Sequence, residues 1–532
     1  MDTKEDKEHS APSIPRTANS GAHVIVRLTS PVSTSELRAD LLDADYTVDR
    51  LRGLWGPVAD AALGRDNPVP ARRALAGLEH PAALMARLFL LGDLVDDDAL
   101  GRAFPRTGAA GLRERGVLGA DGRALVEVRP YSAVDTTGVV NWWVASDHGE
   151  LVRRAPLSPD HVLGVGGASL TLAGLVPTSP ARRVLDLGTG SGVQALHARR
   201  SADRVVATDL SDRALWLAAL TLELSGVEGV ELRHGDMFAP VAGERFDRIV
   251  SNPPFVITPR ERGVDVLEYR DGGRVGDGIV DEFVRALPDH LEPGGTAHLL
   301  GNWEYRAGAD GLDRVRGWVE AADLDAWVIE RERQDVAEYA ETWLRDGGVR
   351  TSSAAFEPLA EAWLDDFAAR RVTHVGFGYL TLRRPPDESA PRLRRFERVA
   401  TAAPSGASGL GDAIAAGFAA HDQIASLDEG AFARMHATVA PDVTEERHFW
   451  PGAEHPTVMR LVQGTGLGRV VDLNTGLGAV VGACDGELPI GVLVDAVAQL
   501  LDVDASALAA EVLPRLRELA VVGMITLADH RE

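Results

Sequence analysis

From about Pro159 to Arg383 the sequence alternates between short apolar runs rich in β-formers and longer segments of helical spacing. No other feature constrains the fold as much. RRVLDLG, DRVVATDL, VELRHGD and FDRIVSNPPF are predicted to be the first four strands, with helices in SGVQALHARR and DRALWLAALTLELSG. GTAHLLGNW, AWVIERE and HVGFGYLTLRR continue the series, with helices in DGIVDEFVRALPDHL, AEYAETWL and FEPLAEAWLDDFAARR. Strands separated by helices of this length connect through right-handed crossovers into a mostly parallel sheet covered on both faces. The expected fold class is therefore α/β, with HVGFGYLTLRR as an antiparallel edge strand.

A chain of 532 residues exceeds what one hydrophobic core supports, so further units are expected around this one. Residues 1–22 are polar, of mixed charge, and read as a disordered tail. Residues 23–157 read as a helical, winged-helix-like unit. Its helices lie in HPAALMARLFLLGDL, DDALGRAF and TGAAGLRERGVL, and are followed by β-prone ALVEVRPYS and VVNWWVAS. The α/β core spans 158–385, and RRPPDESAPR (383–392) reads as a linker. Residues 393–532 form a second helical, winged-helix-like unit that ends in two apolar helices and the strand MITL.

Composition narrows the partners. Seventy-nine acidic against 55 basic side chains give a net charge of -24, which argues against tight non-specific binding to a phosphate backbone. The single cysteine, Cys484, excludes a disulfide scaffold and a cysteine zinc site, and points to a reducing, cytoplasmic setting. No apolar run has membrane-spanning length, the N-terminus lacks the apolar region of a secretory signal, and no metal is expected.

Chemistry concentrates where the first strand ends, at Val184-Leu-Asp186-Leu-Gly188-Thr-Gly190-Ser-Gly192. Glycines at a strand-to-helix turn allow a tight backbone and let N–H groups approach a ligand. Such a turn serves NAD, FAD or S-adenosylmethionine (SAM), or is only a turn. The acids that follow are more informative. Asp209 ends the second strand, where a carboxylate can accept both ribose hydroxyls. Asp236 ends the third, and its carboxylate or the Met237 backbone suits an adenine amino group. Strand four then delivers Ser251-Asn252-Pro253-Pro254-Phe255.

Here the chain resembles the class I SAM-dependent methyltransferases. More narrowly, it resembles the Asn-Pro-Pro-aromatic branch that methylates planar nitrogen: adenine-N6 DNA methyltransferases, rRNA guanine-N2 methyltransferases and HemK/PrmC-type glutamine methyltransferases. The resemblance covers about residues 159–310 and implies a Rossmann-like seven-stranded core that binds SAM. It implies that Gly188, Gly190 and Gly192 cradle the methionine moiety, with Asp186 near its ammonium. Asp209 is then the ribose partner, and Asp236 with Met237 the adenine partners. Asn252 lies where cofactor and acceptor meet. An amide nitrogen delocalises its lone pair and is a poor nucleophile. Hydrogen bonds from its NH₂ to the Asn252 side-chain oxygen and the Pro253 carbonyl would orient that lone pair toward the methyl group. Pro253 and Pro254 stiffen the loop, and Phe255 can stack on the planar group.

His161-Val-Leu-Gly-Val-Gly-Gly-Ala-Ser-Leu-Thr171 occupies the place of the family's pre-core loop without its usual wording. Gly166, Gly167, Ser169 and Thr171 would have to substitute. Tyr269-Arg-Asp-Gly-Gly-Arg-Val-Gly-Asp-Gly278 is similar to a glycine-rich, acidic segment of HemK-like enzymes, and reads equally as a turn into a helix. The expected acceptor is a protein glutamine amide. The alternative is an RNA or DNA base, and a third reading is a non-catalytic SAM-binding protein. Oligomeric state is not legible.

Three features are expected to be structural. Val470-Val-Asp472-Leu-Asn-Thr-Gly476-Leu-Gly478 imitates the glycine-rich turn and reads as a hairpin. Tyr131 with Asn141, Trp142 and Trp143, and separately His448, Phe449 and Trp450, read as interface aromatics. Cys484 has no adjacent basic partner, so it is not expected to be a nucleophile.

Overall fold

The computed structural model describes residues 17–18, 24–25, 34–135, 138–149, 152, 157–260, 269–399 and 409–528. The tail assigned to residues 1–22 lies outside these, apart from the two-residue strand Thr17–Ala18.

The alternating region folds as expected into a parallel-centred sheet. Its strands are β1 (Ala181–Leu187), β2 (Ala202–Asp209), β3 (Val230–His234), β4 (Phe246–Ser251), β5 (Leu291–Arg306), β6 (Asp325–Asp335) and β7 (Val372–Arg383). They run β3-β2-β1-β4-β5-β7-β6 across the sheet. β3, β2, β1, β4 and β5 pair in parallel. β7 is antiparallel to both neighbours, β5 and β6. It is therefore an interior strand, not the edge strand expected from its position in the sequence. A further strand, β8 (Arg394–Arg398), pairs in parallel with β6. The unit read as beginning at residue 393 thus opens with a strand of the central sheet. On the other side, Val24–Ile25 and Thr17–Ala18 extend the edge beyond β3, making ten strands among the described residues.

The central strands are apolar on both faces because helices cover both. Val184 and Val250 share a core with α1 (Gly167–Leu175), α2 (Val193–Ala198) and the Leu215 and Ala218 side of α3 (Asp212–Ser225). Leu185, Val206 and Ile249 face the opposite core, built with α4 (Gly278–His290) and α5 (Gly311–Ala321). The α5 segment was not anticipated from the sequence. Between β6 and β7 the chain inserts α6 (Val336–Asp346) and α7 (Phe356–Ala369), which pack together over a third core around Tyr339, Trp363 and Phe367.

The flanking units are not loosely tethered. Six helices lie between residues 34 and 114 among the described residues, against the three that the sequence pattern predicts, and the ribbon Glu127–Asp135/Gly138–Ser146 follows. This ribbon lies on α3: the Trp143 and Ala145 N–H groups donate to Ser225 Oγ (3.1 Å) and Thr221 Oγ1 (2.9 Å). The Trp143 indole donates to the Tyr46 carbonyl at 2.7 Å; Trp142 and Trp143 are buried, as expected of interface aromatics, whereas Asn141 is exposed. Phe449 and Trp450 are a correction: they are 51% and 70% exposed in the connection between the strands Val443–His448 and Val458–Gln463.

The segment after Asp472 is a second correction. Val470–Leu473 is a strand, but the helix Thr475–Gly482 follows it, started by Asn474, whose side chain accepts from the Leu477 N–H. The strand belongs to a separate antiparallel sheet. The strand-to-helix turn therefore recurs without a parallel sheet to frame a site.

Candidate active site

Register decides which residues meet. Leu187, the last residue of β1, lies opposite Thr208 on β2 and Ser251 on β4, and Asp209 lies opposite His234 on β3. The chain positions just beyond these ends are Gly188, Leu210, Gly235 and Asn252. The four loops therefore emerge side by side at the carboxyl rim of the sheet, where open α/β sheets bind ligands. Ser251 Oγ donates to the Leu187 carbonyl at 2.8 Å and ties the Asn252 loop to the glycine-rich turn.

Within that turn Gly188, Gly190 and Gly192 have φ of +74°, +54° and +84°, a region that suits glycine. Their surroundings differ. A Cβ at Gly188 or Gly190 would meet no atom within 4 Å, whereas one at Gly192 would lie 3.2 Å from Ala218 Cα on α3. Gly192 thus permits helix–helix contact, and the other two border open space.

Asp209 holds the turn in place. One carboxylate oxygen accepts the Gly190 N–H and the other the Ser211 N–H, both at 2.9 Å. Burial nonetheless raises its pKa, against the pull of these backbone donors. Asp186 is 1% exposed. One of its oxygens accepts from the Thr189 hydroxyl at 2.6 Å. The other, Oδ1, is buried without a hydrogen-bond partner among the described residues. Burial, opposed by the Thr189 bond and the Ala195 backbone N–H and reinforced by the Asp209 charge, pushes its pKa up to about 7. A desolvated carboxylate oxygen beside an open glycine turn is an acceptor free to take an N–H donor.

Asp236 differs from both. It is exposed and paired with Arg274 at 3.3 Å. Arg274 also pairs with Glu282 at 2.6 Å. The segment Tyr269–Gly278 therefore reaches the same rim, and Arg274 is a site residue that the sequence reading passed over. Met237, next to Asp236, holds φ +45°, an uncommon backbone conformation for a non-glycine residue.

The Asn252 loop is buried on its inner side. Asn252 Oδ1 is buried without a hydrogen-bond partner among the described residues, and Pro253 is buried. Pro254 and Phe255 are half-buried, and Phe255 touches three core clusters at once. The structure thus gathers Asp186, the glycines, Asp209, Asp236, Met237 and Asn252–Phe255 at one rim. The pre-core loop joins them. Gly166 and Gly167 open α1, the Ser169 carbonyl accepts from Gln194 on α2 at 2.8 Å, and the His161 ring meets Tyr269 edge-on, 6.0 Å between centroids. Among the described residues no three His, Cys, Asp or Glu side chains are grouped to hold a metal, and no helix is long and apolar enough to cross a membrane. Cys484 is buried, and its thiol is pushed up to about 11 by that burial and by Asp485.

Residues 164–320 match the family described as methyltransferase small domain, and residues 43–130 match a domain of unknown function, DUF7059. A release factor glutamine methyltransferase of Xylella fastidiosa is 38% identical over 158 residues, covering 27% of this chain and 57% of that protein. A ribosomal protein uL3 glutamine methyltransferase of Bradyrhizobium diazoefficiens is 40% identical over 123 residues, covering 21% and 38%. A ribosomal RNA small subunit methyltransferase C of Escherichia coli is 31% identical over 156 residues, covering 29% and 40%. The chain thus spans little more than half the length of these curated relatives at most. The segment that resembles the HemK/PrmC-type methyltransferases, about residues 159–310, overlaps the 164–320 match to the methyltransferase small domain, and its sheet is the mostly parallel α/β one expected.

Proposed function

We propose that this chain is a SAM-dependent N-methyltransferase whose acceptor is a glutamine side-chain amide of a protein of the translation apparatus. The observation that carries the reading is a pair of unpartnered buried oxygens, Asp186 Oδ1 near the end of β1 and Asn252 Oδ1 just beyond the end of the adjacent β4. One suits a cation and the other an N–H donor. A bound SAM supplies a methyl group already activated on a sulfonium, so no metal or covalent nucleophile is needed.

The protein's own groups then bind and orient. Asp186 Oδ1 faces the ammonium, the open sides of Gly188 and Gly190 admit the methionine chain, and Asp209 accepts from the ribose hydroxyls. Asp236 or the Met237 backbone meets the adenine. Asn252 Oδ1 and the Pro253 carbonyl accept the two N–H bonds of the acceptor amide. This orients the nitrogen lone pair toward the methyl group. The two acidic groups beneath the turn also favour a cationic donor electrostatically.

A nucleic-acid acceptor is the second reading, favoured by the similarity to the ribosomal RNA enzyme. The charges near the rim weigh against it. Arg260 pairs with Asp271, Arg270 with Asp346, and Arg274 with Asp236 and Glu282, so these arginines are already neutralised. A translation-factor acceptor implies action in the cytoplasm.

The test is incubation with tritiated-methyl SAM and, separately, purified release factors, ribosomal proteins and rRNA. Label that protease releases and nuclease does not supports the protein acceptor; the reverse establishes the second reading. Absence of SAM binding by calorimetry would overturn both and leave a non-catalytic protein.

A further inference from the structure

The Asn252 loop does not end at Phe255, and what holds its far side lies some 80 residues away in the sequence. The Ile257 N–H donates to the Tyr339 hydroxyl oxygen at 2.9 Å, and the Asn302 side-chain amide donates to the same oxygen at 2.8 Å. Tyr339 sits on α6, Asn302 near the end of β5, and each is fully buried. The hydroxyl is thus a joint between the motif loop, the central sheet and the β6–β7 insertion.

A second strap runs in parallel. Phe255 forms a β-bridge with Asp271, and the Val256 N–H donates to the Arg270 carbonyl at 2.8 Å. The Arg270 guanidinium in turn donates to the Trp343 carbonyl and to Asp346, both at 2.8 Å, and the Tyr269 hydroxyl donates to Asp346 at 2.7 Å. Both straps end on the same helix. A buried hydroxyl receiving two donors costs free energy to organise, and packing alone requires only the tyrosine ring.

We infer that α6 is the element that positions the acceptor loop, and that Tyr339, through its bond to Ile257, is a positioning residue for methyl transfer. The inference rests on the proposed function for its chemistry but not for its geometry. Asn252 and Pro253 act on an amide nitrogen only within a narrow range of placement, and small misplacements of such groups cost large factors in rate. Tyr339 touches no reacting atom. It fixes where the loop that does so begins to turn away.

Tyr339→Phe keeps the ring and removes the joint. With tritiated-methyl SAM and whichever protein acceptor the preceding experiment labels, kcat should fall about tenfold. Affinity for S-adenosylhomocysteine should stay within about twofold, because the glycine turn and Asp209 are untouched. Phe367→Leu, which loosens the same core without touching the hydroxyl, should lower thermal stability and leave kcat within about twofold. Hydrogen exchange of the unliganded protein supplies a readout independent of activity: the Val256 and Ile257 amides should be protected in the wild type and exchange at least tenfold faster in Tyr339→Phe. Unchanged kcat and exchange in Tyr339→Phe would overturn the inference, as would an equal kcat loss in Phe367→Leu. If the wild type methylates no acceptor while exchange responds as stated, the proposed function fails and the positioning of the loop stands.

Discussion

Asp186→Asn is the perturbation whose outcome the site determines most fully. In the free protein the Asp186 carboxyl is 1% exposed and its pKa stands at about 7 in place of 3.8, chiefly through burial. At about 1.4 kcal/mol for each tenfold change in proton affinity, keeping this group ionised above pH 7 costs the folded chain about 4 kcal/mol. The sign follows from proton uptake. Between pH 4 and 7 the folded chain retains a proton that the unfolded chain has released. Stability therefore falls as pH rises through that window and levels off above it. Asparagine preserves the shape and removes the titration. In urea unfolding of the SAM-free proteins, the stability difference in favour of Asp186→Asn should grow by about 3 kcal/mol between pH 5 and pH 8. SAM binding should move the opposite way. Loss of a charge-assisted bond to the ammonium should weaken affinity at pH 8 by about 1.5–3 kcal/mol, read by calorimetry. Parallel pH–stability curves for the two proteins, or an unchanged Kd at pH 8, would refute the account of Asp186 as a carboxylate held in reserve for a cation.

Three more substitutions separate the roles around the rim. Asn252→Ala should lower kcat at least a hundredfold while leaving SAM affinity within a few-fold, because its orphaned oxygen addresses the acceptor; near-normal turnover would remove it from the site. Asp209→Ala should weaken SAM binding by about 1–3 kcal/mol, since it frees the Gly190 N–H as well as the ribose hydroxyls, and an unchanged titration would contradict both. Gly192→Ala and Gly190→Ala carry similar backbone strain of about 1–2 kcal/mol, but only Gly192 faces Ala218. Thermal unfolding should therefore show the larger loss for Gly192→Ala, and SAM titration the larger loss per unit stability for Gly190→Ala.

The near side of this site was legible because it follows from local rules. Strands of alternating or continuous apolarity end at or within two residues of Leu187, Asp209, Asp236 and Asn252, and parallel register brings such ends together without further information. The far side was not legible, because it depends on contacts between distant segments. Nothing near Tyr339 indicates that its hydroxyl will meet Ile257, and nothing in HVGFGYLTLRR indicates that β7 slots between β5 and β6. β8 was hidden behind a proline-rich stretch that looked like a linker.

Thr475–Gly482 shows a different failure. TGLGAVVG is a poor helix former, yet the Asn474 cap and burial of Leu477, Val480 and Val481 outweigh propensity. Phe449 and Trp450 were assigned to an interface on composition alone, and exposure is a property that composition does not fix.

The helix α3 has two greasy sides. Leu215, Ala218 and Leu222 seat against the sheet, while Ala214, Leu217, Leu220 and Leu224 fill the core of the N-terminal helices. A fragment cut to begin at residue 158 would strip the outer side bare and leave a leucine ridge in water. The segment that matches the methyltransferase small domain therefore has no natural seam along its N-terminal border. What sequence comparison separates as two families, the fold has welded along one rod, and the pair should melt as a single body.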